Sequence, residues 1–78
     1  MLQRRLQLLL GDLELAQIYL DGAELLRDAE LRRCNWQSAR TLYLAVGEAA
    51  NELDAEGAFN LQPMLTSVAE RLKALTPD

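Results

Sequence analysis

Glu48, Glu52 and Glu56 recur at every fourth residue. On one continuous helix they would share a face and could offer oxygen ligands to a hard divalent ion such as Mg²⁺ or Ca²⁺. A solvated outer face accounts for the same spacing. Cys34 follows Arg32 and Arg33, and positive neighbours favour the thiolate of an exposed cysteine. Read structurally, it is a small hydrophobe where helices meet. Arg27, Arg32, Arg33 and Arg40 form a cluster that could contact phosphates, whereas Trp36 and Tyr43 stand seven residues apart, as side chains of one helical core stripe do.

Composition decides against most of these chemistries. The 78 residues include no histidine, which removes the most usual general base and the commonest metal ligand near neutral pH. Nothing is left to build a serine or cysteine triad or a standard zinc site, and we expect no enzyme, no cofactor and no small-molecule substrate. The single cysteine excludes an internal disulfide and points to a reducing, cytoplasmic setting. Eight basic against twelve acidic residues give a net charge of −4. Residues 1–40 carry six of each sign while residues 41–78 carry two basic and six acidic. A neutral half and an acidic half make a poor nucleic-acid footprint, so Arg27, Arg32, Arg33 and Arg40 remain only an alternative contact set.

The elements that would position any site are helices. Leu2, Leu6, Leu9, Leu13, Ala16, Leu20 and Ala23 advance by alternating steps of four and three, as do Trp36, Ala39, Tyr43, Val46, Ala50 and Leu53, and then Leu61, Leu65, Val68, Leu72 and Leu75. Eighteen leucines and eleven alanines, with few β-branched residues, suit helices rather than strands. These features predict an all-α chain: a small antiparallel bundle of three or four helices, of helical-hairpin type, forming a single domain over residues 1–78. A helix is expected over about 2–33, with a break near Gly11 or Asp21-Gly22 as the alternative, then helices over 36–56 and 61–75. Asn35 and Asn60 would cap the second and third helices, and Gly57 would end the second. Pro63 would sit in the first turn of the third. The leucines near the N-terminus are interrupted by Gln7 and Gly11-Asp12, too soon for a spanning helix or a signal segment.

The run Cys34-Asn35-Trp36-Gln37-Ser38-Ala39-Arg40-Thr41-Leu42-Tyr43 resembles the inter-helix turn and second helix of a tetratricopeptide repeat, and Gly11-Asp12-Leu13-Glu14-Leu15-Ala16 resembles the same turn. The resemblance implies a helical hairpin turning at Cys34-Asn35. In architecture the expected hairpin is also similar to small dimeric plasmid copy-control proteins of the Rop kind.

Beyond its stripe, the first segment adds Leu8, Leu10, Leu15, Ile18 and Tyr19. If the second helix folds back from Cys34 it reaches only about Leu15 to Leu20, leaving the earlier leucines uncovered. A chain of this size rarely gains more than ~3–5 kcal/mol from its own core, so a second copy is expected to complete it. The expected interface is Leu2, Leu6, Leu9, Leu10, Leu13, Ile18 and Tyr19. The expected function is non-catalytic protein binding by a small dimeric adaptor, inhibitor or chaperone-like regulator, of the kind found in bacteria and phages. Its partners would be itself and another protein, with no membrane.

Overall fold

Two copies of one tripeptide start two of the helices: Asp28-Ala29-Glu30 and Asp54-Ala55-Glu56. In the computed structural model, which describes residues 2–77 and side chains from Arg4 to Pro77, each aspartate is an N-cap with extended backbone. The Asp28 carboxylate accepts from the backbone N–H groups of Glu30 (2.9 Å) and Leu31 (3.0 Å), and that of Asp54 from Gly57 (2.7 Å). Each satisfies donors that the first turn of a helix leaves unpaired, and the glutamate two residues on favours the positive end of the helix dipole. The elements are α1 (Leu2–Leu25), α2 (Ala29–Ala50) and α3 (Ala55–Ala74), an all-α three-helix bundle.

The expected helix over 2–33 therefore ends at Leu25, eight residues early. Leu26-Arg27-Asp28 joins it to α2, and Arg32 reaches back to the joint, donating from Nη1 to the carbonyls of Leu26 (3.1 Å) and Arg27 (2.8 Å). One side chain caps the end of α1 while Asp28 caps the start of α2, so a three-residue turn costs few unpaired groups. Cys34 and Asn35 lie inside α2 and do not form the hairpin turn that the tetratricopeptide resemblance implied. The other expected boundaries move as well. α2 ends at Ala50 rather than 56, and α3 begins at Ala55 rather than 61, because the turn is at residues 51–54. Gly57 is in the first turn of α3, without the positive φ of a C-cap, and Asn60 and Pro63 are inside the helix. Pro63 offers no N–H to the carbonyl of Phe59, but both residues lie on the exposed side of α3, where water is available.

α1 runs unbroken through Gly11 and Gly22, and the second of these has a packing reason. A Cβ on Gly22 would stand 2.6 Å from Asn35 Nδ2, which crosses from α2 to donate to the Tyr19 carbonyl at 3.1 Å. Alanine in a helix gains about 1 kcal/mol over glycine, and here it would displace a hydrogen bond of about the same worth and force a shift besides. We expect Gly22→Ala to lower stability in the native sequence and to raise it by about 1 kcal/mol in an Asn35→Ala background. Urea unfolding of the four chains measures this, and a change of one sign in both backgrounds would refute the contact.

The core lies between the three helices: Leu13, Ala16, Leu20 and Ala23 from α1, Ala39 and Val46 from α2, and Leu61, Leu65, Val68 and Leu72 from α3. No polar or charged residue is buried among the described residues. Alanines at 16, 23 and 39 let α1 and α2 approach closely. The two run antiparallel, with Asn35 level with Tyr19 and Gly22, and Glu52 ion-paired with Arg5 at 2.9 Å. α3 returns along both. Trp36 Nε1 donates to the Leu72 carbonyl at 2.8 Å, and Arg71 extends to α1, meeting Asp21 (2.8 Å), Glu24 (3.3 Å) and the carbonyl of Gln17 (3.4 Å).

Candidate association surface

The α1 helix turns two stripes outward from its axis, and only one faces the core. Leu13, Ala16, Leu20 and Ala23 fill the bundle. On the opposite side, Leu8 (64% exposed), Leu15 (42%), Ile18 (63%) and Leu25 (84%) stand in water. Counting Gly11, the outer positions 8, 11, 15 and 18 again alternate steps of three and four, the spacing of a helix-pairing seam, and Leu25 follows one heptad on, whereas Gly22 is half-buried against Asn35 of α2. A Cβ on Gly11 would meet nothing within 4 Å. Beside the seam, helical spacing places Cys34, Ser38, Thr41 and Ala45 of α2 along the same side of the bundle, and Cys34, Thr41 and Ala45 are exposed. The result is a ridge of large apolar groups next to a strip of small ones that Leu31, 52% exposed, prolongs at one end.

The residues expected to form an interface divide into four groups. Leu13 is fully buried in the bundle, so it is unavailable to a partner. Leu6, Leu9, Leu10 and Tyr19 are half-buried and pack on the core. Ile18 is exposed on the seam, and the side chain of Leu2 lies outside the described residues. Leu8 and Leu15 belonged to the apolar excess noted in the sequence, and Leu25 was missed. The geometry behind the expectation changes too. With its turn at 26–28, α2 reaches back as far as the start of α1, where Glu52 meets Arg5, and so covers leucines that a turn at Cys34 would have left bare.

The other candidate chemistries are dispersed. Glu48 is on α2, Glu52 in the following turn and Glu56 on α3, so the three do not share a helix face. Among the described residues no group of three or more His, Cys, Asp or Glu side chains is placed to hold a metal ion. Cys34 is free and exposed. Of the arginines, Arg32 is committed to the carbonyls of the α1–α2 joint, while Arg27, Arg33 and Arg40 are exposed. Trp36 and Tyr43 are half-buried against the core. Tyr43 also borders an open groove of about 470 Å³ between α2 and α3, whose rim carries Glu48 and Glu70. No described helix is long and apolar enough to cross a membrane.

No family model, curated protein or solved structure matches this chain.

Proposed function

We propose that this chain is a non-catalytic protein-binding module, a small helical adaptor, inhibitor or chaperone-like regulator that works by burying the outer face of α1 against another polypeptide surface. One observation carries the reading. Four large apolar side chains of one helix, Leu8, Leu15, Ile18 and Leu25, remain 42–84% exposed on a bundle whose core is filled by other residues. A single exposed leucine is ordinary, but a continuous ridge of them on a 78-residue domain marks an interaction site. Association would then bury an apolar helix face within a polar rim, with Glu14 and Asp21 exposed along one edge. A reducing, cytoplasmic setting suits the exposed free thiol of Cys34.

A photoreactive side chain in place of Ile18 tests this against the same group in place of Phe59, which is 76% exposed on α3 and stands apart from the seam. Irradiation in an extract or in purified protein should give polypeptide adducts from position 18 and few from position 59. Equal yields, or none at position 18, would overturn the reading.

A further inference from the structure

The open groove of about 470 Å³ between α2 and α3 does not end at Tyr43. A second hollow of about 180 Å³ continues it toward Trp36 and Leu72, and Tyr43, Leu44 and Ala69 border both. No residue of α1 lines either hollow, so the groove opens away from the exposed ridge of that helix. We propose that it is a second docking surface, taken by an amphipathic helix of another polypeptide whose charges stand in two blocks, acidic beside Arg40 and Lys73 and basic beside Glu48 and Glu70. This goes beyond the α1 reading above and does not depend on it.

Charge names the occupant. Each hollow has one sign, supplied by both helices: Arg40 of α2 and Lys73 of α3 border the smaller, and Glu48 of α2 and Glu70 of α3 border the larger. All four side chains are exposed, and among the described residues none of them makes an ion pair or a side-chain hydrogen bond. Elsewhere the chain commits such groups, Arg5 to Glu52, Arg32 to the α1–α2 joint and Arg71 to Asp21 and Glu24. Glu70 and Lys73 are three apart on α3 and within reach of each other, but an exposed pairing of that kind is too weak to hold either from a partner. A helix of one sign would be drawn in at one hollow and repelled at the other, whereas two blocks of opposite sign suit both.

The floor suits a helix. It is apolar where Tyr43, Leu44, Leu65 and Ala69 meet, and Leu44 is 46% exposed. Gly47 stands on the α2 wall of the larger hollow, and a Cβ there would meet nothing within 4 Å. Unlike Gly22 it clears space for nothing in its own chain, although glycine weakens a helix interior relative to alanine. A backbone lying close against α2 accounts for it. Along α2 the two hollows extend from Trp36 to Asn51, about 22 Å at 1.5 Å per residue, which takes a helix of about four turns. Seated there, it would turn three helices into a four-helix bundle.

The test measures binding of synthetic peptides of about 16 residues to the purified full chain by fluorescence anisotropy at about 0.15 M salt. All share one stripe of leucines at helical spacing. One has glutamates at one end and lysines at the other, a second alternates the same charges, and a third is all lysine. The two-block peptide should bind at least about tenfold more tightly than either of the others. Arg40→Glu with Lys73→Glu should reverse the order in favour of the all-lysine peptide, while Arg4→Glu with Arg27→Glu, the same change of net charge away from the groove, should not. Gly47→Leu should keep or raise the melting temperature and weaken the two-block peptide about tenfold or more. Equal binding of the two-block and alternating peptides, no binding of any, or an unchanged affinity in Gly47→Leu would overturn the proposal. So would a dimer that Gly47→Leu converts to monomer, which would give the groove to a second copy. None of these results bears on crosslinking from position 18, which tests the α1 face separately.

Discussion

Leu20→Ala should leave most of the chain unfolded at room temperature. Leu20 is fully buried in the core to which all three helices contribute, one turn from Ala16 and Ala23, whose short side chains cannot move to fill the space. Truncating a leucine in such a site costs about 3–5 kcal/mol, from lost transfer free energy and from the cavity left behind. A bundle of this size has a total stability of about the same magnitude. Far-UV circular dichroism should show loss of most helical signal, and urea unfolding should have little or no folded baseline. Phe59→Ala supplies the control, since its ring is 76% exposed and the change should stay within about 0.5 kcal/mol. If Leu20→Ala kept a melting temperature close to that of the native chain, Leu20 would not be part of the core.

Trp36 should be next in effect, in two separable parts. Its ring packs on the core from the α2 side, and its Nε1 donates to the Leu72 carbonyl of α3 at 2.8 Å. Trp36→Ala removes both, and because the ring is half-buried the cost should be near the lower end for aromatic truncation, about 3 kcal/mol. Trp36→Phe keeps most of the apolar contact and removes the hydrogen bond. Thr76 Oγ1 also donates to the Leu72 carbonyl, at 2.9 Å, so that oxygen keeps a partner and the loss should be about 1 kcal/mol. Urea unfolding followed by circular dichroism reads both, since the only tryptophan is the group removed. Equal losses for the two variants would mean that the hydrogen bond and not the ring holds α2 to α3.

Much of this fold is legible in the leucine and alanine spacing, because burial in a bundle recurs with the helical period. The stripe from Leu13 to Ala23 is the buried face of α1, and Leu61, Leu65, Val68 and Leu72 are that of α3. The helix ends are much less so. A heptad stripe runs on unshifted through a short turn, and the punctuation that attracts attention, glycine and asparagine, serves other purposes here. Gly22 makes room for Asn35, Asn35 ties α2 to Tyr19, and Gly57 sits under the cap of Asp54. The usable signal was the repeated Asp-Ala-Glu at 28–30 and 54–56, which combines a capping carboxylate with an acidic first turn. The exposed ridge of α1 was legible as an excess of leucine but not as a face. Two apolar stripes on one helix can be ranked only when it is known how far the next helix reaches, and that depends on the turn.

Among the described residues the core contains only aliphatic side chains and no buried polar residue. An interior of that kind does not resist sliding: a helix displaced by two turns would again present apolar groups to apolar groups and strand no donor or acceptor. The ties against slippage described above stand at the periphery, where Asn35 holds the Tyr19 carbonyl, Trp36 the Leu72 carbonyl, Arg71 the acidic flank of α1 and Arg5 the carboxylate of Glu52. Exchanges among aliphatic residues inside should therefore be tolerated as long as volume is kept. Which of several similar alignments the chain adopts is decided by a few hydrogen bonds at the water's edge.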